Sequence, residues 1–169
     1  MFQVNDMVLY GTNGVCELVG IEKRDCGGRM VEYYILKPFY TNNSTVFVPV
    51  NNEKLTSKMR HVLTKEEIDQ MIAEIPGNPS EWITDDRERK ERFKDIAGRA
   101  DTFEMIQLIE ALLEHQREVM ERGKKLHIAD ERMLREAEKM ICDEFAYVLG
   151  ISQEEVPAYI ISGLENAVK

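Results

Sequence analysis

The side chains that could ligate a metal or act as nucleophiles are few and scattered. They are three histidines and three cysteines: His61, His115, His127, Cys16, Cys26 and Cys142. None stands at the CxxC or HExxH spacing typical of zinc sites. We therefore predict no catalytic residue, no metal site and no cofactor. The odd number of cysteines favours reduced thiols in a cytoplasmic protein. A thiol-based redox sensor is an alternative, and it requires Cys16 or Cys26 to be exposed with a lowered pKa.

A dense group of basic side chains between residues 87 and 99 is a candidate for binding phosphate. It comprises Arg87, Arg89, Lys90, Arg92, Lys94 and Arg99. Arg87, Lys90 and Lys94 recur at spacings of three and four, so one helix face could carry them along a nucleic-acid backbone. Carboxylates alternate with these bases, and a solvated helix of mixed charge is the alternative interpretation.

Trp82 is the only tryptophan, and it lies directly before the basic group. One possibility is that it packs into a core as a large apolar anchor. The other is a projecting ring that inserts at a base step or stacks on an unpaired base, as apolar wedges do in proteins that distort DNA. The periodicity of the sequence does not choose between the two.

The segment Val46-Phe47-Val48-Pro49 is a candidate protein-binding strand. Side chains alternate along a strand, so Val46 and Val48 share one face and Phe47 lies on the other. An exposed Phe47 near Arg24 would suit a protein–protein contact, because aromatic and Arg side chains are enriched at such sites. The alternative is that Phe47 belongs to the core.

The distribution of charge limits the possible partners. The chain has 169 residues, 22 basic and 31 acidic, for a net charge of −9. Residues 102–169 hold eight bases against fourteen acids, so the acid is concentrated away from the basic group. Apolar residues (43%) and charged residues (31%) are close to globular averages. No apolar run approaches the roughly 20 residues of a membrane span, and we predict no membrane contact.

Two regions of different periodicity must position these residues. Residues 1–60 read as short strands with glycine and asparagine turns, at about 7–10, 15–24, 31–37, 45–50 and 59–63. Gly27-Gly28 suits the turn of a hairpin. Residues 61–169 have helical periodicity. We predict an α+β protein, in which a small SH3-like or Tudor-like β-barrel (1–60) precedes a helical bundle (61–169).

Local signals place the helices of the second region. Thr64 and Ser152 begin capping boxes, and Asp101 and Asp130 are predicted N-caps of the two longest helices. Apolar stripes along those helices predict that they face each other. A break at 75–79 separates a helix at about 65–74 from a helix expected to carry Trp82 and the basic group.

Several motifs in order along the chain resemble the CarD/CdnL family of bacterial transcription regulators. They are Phe2-x-Val4-x-Asp6-x-Val8-x-Tyr10-x-x-x-Gly14-Val15, Glu32-Tyr33-Tyr34-x-Leu36, Val48-Pro49-Val50, Trp82 before a charged helix, and Gly123-Lys124-Lys125-Leu126 leading to Glu144-Phe145-Ala146. The first region also resembles the RNA-polymerase-interacting domain of transcription-repair coupling factors. The likeness covers essentially the whole chain.

This resemblance implies a regulator that acts at promoters. The barrel is expected to bind the β subunit of RNA polymerase, partly by strand addition, through Arg24, Val46, Phe47, Val48 and Pro49. The helical domain is expected to contact promoter DNA at the upstream edge of the melted region, with Trp82 as a minor-groove wedge that stabilises the open complex. The implied DNA-binding residues are Trp82, Arg87, Arg89, Lys90, Lys94, Lys124 and Lys125.

The partner predictions follow from the resemblance and the charge together. We expect a monomer whose DNA binding is weak unless polymerase holds it near the promoter. A module that binds polymerase without contacting DNA is the alternative, which the acidic 102–169 segment favours.

Overall fold

The computed structural model describes residues 1–41 and 43–169, which form two compact units, Met1–Val62 and Leu63–Lys169. The first unit is built on a β-sheet and the second is helical, so the predicted α+β class is confirmed. Among the described residues, no helix is long and apolar enough to cross a membrane.

The N-terminal unit is one antiparallel sheet in the order β4-β3-β2-β1-β5. Its strands are β1 (Met7–Tyr10), β2 (Val15–Asp25), β3 (Met30–Pro38), β4 (Val46–Pro49) and β5 (Met59–His61), and the short helix α1 (Glu53–Thr56) precedes β5. All five strands occur where the sequence predicts them.

Two local features shape the long β2–β3 hairpin. Gly27 and Gly28 adopt φ values of +66° and +86°, which glycine tolerates because it has no Cβ. Across the turn, the Cys26 N–H donates to the Arg29 carbonyl at 2.8 Å. A bulge between Leu18 and Gly20 shifts the register of β2 against β3. Bulges increase local twist, so the sheet bends at this point.

One face of the sheet forms the core of the unit. The buried residues are Val8, Cys16, Leu18, Tyr34, Leu36, Val48 and Met59, and Phe2, Tyr10, Val46, Val50 and Leu55 pack against them. On the opposite face of β2 and β3, Arg24 is exposed and Tyr33 is half-buried, whereas Ile35 is buried.

The C-terminal unit contains five helices. They are α2 (Lys65–Glu74), α3 (Asp86–Arg99), α4 (Thr102–Glu121), α5 (Ile128–Leu149) and α6 (Val156–Val168). Helices α4 and α5 pack together, as their apolar stripes predict, although Leu113 and Met120 of the α4 stripe are exposed. Helix α2 packs on α6, where a Cβ added to Gly163 would lie 2.7 Å from Ile72.

Most of the predicted helix starts are correct, and two details are wrong. The side chains of Thr64 and Asp101 accept hydrogen bonds from the N–H groups three residues on. Asp130 is not an N-cap, because α5 begins at Ile128 after His127, and Asp130 lies inside the first turn. Trp82 does not lie on a helix. It occupies the irregular segment before α3, whose first residue is Asp86.

A hydrogen-bonded group joins α2 to α6 and predicts a pH dependence of stability. Asp69 accepts hydrogen bonds from Lys65 (2.7 Å) and from the Tyr159 hydroxyl, and these bonds lower the pKa of Asp69 below its usual 3.8. A carboxylate whose folded pKa is lowered contributes stability above pH 3.8 that is lost as the pH falls through the lowered value. The stability difference between wild type and Asp69→Asn is therefore expected to shrink as the pH falls below about 4.

Urea unfolding followed by circular dichroism between about pH 3 and 7 measures this difference. Glu165→Gln, on the exposed face of α6, is the control and is expected to show no such trend. A difference for Asp69→Asn that stays constant across the range would contradict the predicted linkage.

Candidate functional site

Arg24, Tyr33 and Phe47 form an exposed cluster on the N-terminal unit, the Arg24 cluster. The guanidinium carbon of Arg24 lies 4.2 Å from the centre of the Phe47 ring, and the Tyr33 ring meets Phe47 edge-on at 6.4 Å. Phe47 is 40% exposed, so it does not belong to the core. An exposed cation over an aromatic face is worth about 0.5–1 kcal/mol, which favours this arrangement of the two side chains.

Strand register explains why these three residues meet. Ile35 pairs with Phe47 and Tyr33 with Pro49, so Phe47 and Tyr33 share the face opposite the core. Beyond the bulge, Arg24 pairs with Val31 on that same face. The bulge is what turns alternate residues of β2, including Arg24, toward Phe47.

The outer edge of β4 carries no strand within the described part of the chain. The Val50 N–H donates to the Glu32 carbonyl at 2.9 Å, so by alternation Val48 and Val46 also point their main-chain groups at β3. The N–H and C=O of Phe47 therefore face outward. Pro49 faces outward as well but has no N–H to donate.

Val46 and Val48, which are also predicted to contact polymerase, do not belong to the Arg24 cluster. The Val48 side chain is fully buried, and Val46 is half-buried against the core. Their side chains face inward, so this strand can offer a partner only Phe47, Pro49 and its free edge.

In the helical unit, Trp82 is stacked between two side chains. The rings of Trp82 and His115 are 3.8 Å apart and 14° from parallel, and the Arg89 guanidinium carbon lies 4.4 Å from the indole centre. Arg89 and His115 line different pockets beside Trp82, which indicates that they cover opposite faces of the ring. Trp82 is neither a core anchor nor a free ring: it is half-buried at the surface.

The structure places Arg89 away from the surface, although sequence reasoning grouped it with the DNA-binding bases. Arg89 is 3% exposed, and its Nε and Nη2 atoms donate to both oxygens of Asp130 at 3.0 and 2.8 Å. Nη1 donates to the Ile83 carbonyl at 2.8 Å, and Nη2 also donates to Asp86 at 2.6 Å, which lowers the pKa of Asp86. These bonds satisfy Arg89 without any external phosphate.

The sequence does contain a signal for this burial. Arg89 lies four, seven and eight residues before three buried apolar residues, Phe93, Ile96 and Ala97, which is the spacing of one helix stripe. Asp130 lies three, four and seven residues before the buried Met133, Leu134 and Ala137, so it also belongs to a buried helix stripe. Two opposite charges, each in phase with an apolar stripe, predict a buried pair.

The other predicted bases divide into paired and unpaired groups. Arg87 lies 3.4 Å from Glu91, and Arg92 and Arg99 also pair with carboxylates. Of the bases predicted to bind DNA, four lysines are exposed and form no ion pair with a carboxylate among the described residues: Lys90, Lys94, Lys124 and Lys125. Lys90 and Lys125 line one surface groove together with His127, so the fold brings together two bases that are distant in sequence.

The described residues show little sign of reactive chemistry. No group of three or more His, Cys, Asp or Glu side chains among them could hold a metal ion. Cys16 is buried, which raises the pKa of its thiol to about 11, so it does not meet the requirement of a redox sensor. Cys26 is exposed at the hairpin, with Sγ 3.1 Å from the Tyr33 hydroxyl.

Comparison with known proteins identifies the N-terminal unit. Residues 2–63 match the model of the CarD-like/TRCF RID domain. The N-terminal unit is therefore similar to this family of domains. A relative in Bacillus subtilis (strain 168), named "Putative transcription factor YdeB", is 22% identical over 159 residues, which cover 94% of this chain and 99% of the relative. The predicted resemblance is thus confirmed, and the Arg24 cluster lies on the RID domain.

Proposed function

We propose that this protein is a transcription regulator that binds the β subunit of RNA polymerase through its RID domain and stabilises the promoter open complex through DNA contacts of its helical unit. The observation that carries the proposal is the exposed Arg24 cluster beside the free edge of β4 on a domain of this family. The similar B. subtilis protein, whose name describes a transcription factor, supports it.

The Arg24 cluster has the properties of a protein-binding site. The Phe47 ring and the Arg24 cation stacked on it lie on the face opposite the core. The available edge of β4 lies beside them. A partner strand could pair with the main chain of Phe47 while its side chains contact Phe47 and Tyr33. The role of this surface would be to hold the protein on polymerase.

The DNA contact rests on the helical unit. The four unpaired lysines can neutralise phosphates, and Lys90 and Lys125 do so from one groove. A few phosphate contacts on a chain of net charge −9 give weak binding by themselves. Attachment to polymerase would supply the effective concentration that makes such contacts productive.

The alternative function, a polymerase-binding module without DNA contact, also has support in the structure. Arg89 is buried, and Arg87, Arg92 and Arg99 are paired with carboxylates. The choice between the two functions therefore depends on Trp82 and the lysines.

Phe47→Ala is expected to weaken binding to RNA polymerase about tenfold or more, since aromatic residues at interface centres commonly carry 1–2 kcal/mol or more. Arg24→Ala is expected to act in the same direction. Surface plasmon resonance with immobilised polymerase measures both. Arg29→Ala, at the exposed hairpin turn and outside the cluster, is the control. Equal binding by Phe47→Ala, Arg29→Ala and wild type would contradict the assignment of this surface.

Trp82→Ala is expected to shorten the half-life of promoter open complexes about tenfold, which corresponds to about 1.4 kcal/mol, while binding to polymerase is unchanged. Competitor challenge of preformed complexes measures the half-life. An unchanged half-life with intact polymerase binding would favour the interaction module. Tight binding of duplex DNA by the protein alone at physiological salt would contradict the dependence on polymerase.

A further inference from the structure

We propose that His115 and Arg89 are positioning residues that hold the Trp82 indole for edge-on contact with DNA. The inference rests on the proposed DNA contact of Trp82. It concerns the two residues that stack on Trp82, one of which, Arg89, belongs to the basic group predicted to bind DNA.

Arg89 fixes one face of the ring. Both oxygens of Asp130, which is 1% exposed, bind the guanidinium, so its plane is set by helices α3 and α5. The same guanidinium donates to the carbonyl of Ile83, the residue after Trp82. Arg89 therefore holds both the indole and the main chain that carries it.

His115 fixes the other face. It projects from the middle of α4, and its ring is nearly parallel to the indole at 3.8 Å. The side chain of Glu118, one turn further along α4, lies 3.8 Å from Nδ1. The irregular segment that carries Trp82 has no helical hydrogen bonds of its own to hold the ring, so these two stacking partners supply its orientation.

The stack also limits how the ring can meet a nucleic acid. With both faces covered, an unpaired base cannot stack on the indole unless His115 or Arg89 is displaced. The edge of the ring is the part left to reach a partner. Of the two modes that the sequence left open, insertion of a ring edge is therefore favoured over stacking on a base.

Because Trp82 is the only tryptophan, its fluorescence reports on the stack in the full-length protein. His115→Ala is expected to raise the acrylamide quenching constant of Trp82 about twofold or more, because one ring face becomes accessible. His115→Phe, which keeps a flat ring, is expected to restore the wild-type value. Arg117→Ala, on an exposed residue of the same helix α4 and outside the stack, is the matched control. A quenching constant that is the same in His115→Ala and wild type would overturn the inference.

The open-complex assay separates this inference from the proposed function. His115→Ala is expected to shorten the half-life about three- to tenfold, and His115→Phe is expected to restore it. A short half-life for Trp82→Ala with a wild-type half-life for His115→Ala would overturn the positioning role alone. A wild-type half-life for Trp82→Ala would instead overturn the proposed DNA contact. Circular dichroism and polymerase binding of each variant establish that the fold is intact.

Discussion

Asp130→Ala is expected to lower the free energy of unfolding of the helical unit by about 3–5 kcal/mol. The side chains of Arg89 and Asp130 are 4% and 2% exposed, and two hydrogen bonds join them. Removal of the carboxylate leaves a buried guanidinium with its main counter-charge gone. The cost of such an unpaired buried charge exceeds the value of the pair itself.

Asp86→Asn is the matched control for this prediction. Asp86 binds the same Arg89 nitrogen at 2.6 Å, but its side chain is 70% exposed, so water can replace it and the loss is expected to be small. The double variant Arg89→Met with Asp130→Leu is expected to regain most of the lost stability, because neither charge is then buried alone. Urea unfolding followed by the helical circular dichroism signal compares all three. A loss for Asp130→Ala no larger than that for Asp86→Asn would contradict the buried-pair interpretation.

Glu144→Ala is expected to lower the free energy of unfolding by about 2–4 kcal/mol. Glu144 is 1% exposed, and its carboxylate accepts hydrogen bonds from the Leu63 N–H at 3.0 Å and the Thr102 hydroxyl at 3.1 Å. It thereby joins α5 to the segment before α2 and to the first residue of α4. Loss of the acceptor removes both bonds, and the Ala side chain cannot fill the space.

Glu136→Ala provides the control for Glu144, because it removes a carboxylate from an exposed site on the same helix. Its effect is expected to stay within about 0.5 kcal/mol. Glu144→Gln keeps one acceptor oxygen, and its free energy of unfolding is expected to lie between those of Glu144→Ala and Glu136→Ala. If Glu144→Ala and Glu136→Ala unfold at the same urea concentration, the buried carboxylate has no structural role.

Local patterns were sufficient to predict most of the fold. Alternation of apolar residues and the Gly27-Gly28 turn located the β2–β3 hairpin, and capping signals at Thr64 and Asp101 located two helix starts. Each of these signals acts over three or four residues, and the structure that it specifies is equally local. The order of the family motifs correctly indicated the RID domain.

The long-range contacts that bury Arg89 and stack Trp82 were not predicted. The burial of Arg89 depends on Asp130, and the stacking of Trp82 depends on His115. A pattern of bases at spacings of three and four describes a helix face, but it does not say which face packs against another helix. Helical phase relative to Phe93 would have separated the buried Arg89 from the exposed Lys94, whereas Lys90, three residues before Phe93, lies close to the same stripe.

Pro49 has a consequence for the solubility of the protein. An open sheet edge is a template on which a second copy of the same strand could pair and begin aggregation. A strand that pairs at Pro49 loses a hydrogen bond, and two copies of β4 side by side would lose one at each proline. A partner strand that contains no proline loses only the one hydrogen bond at Pro49. The sheet can thus keep an open edge for a different protein while it disfavours fibres made of its own copies.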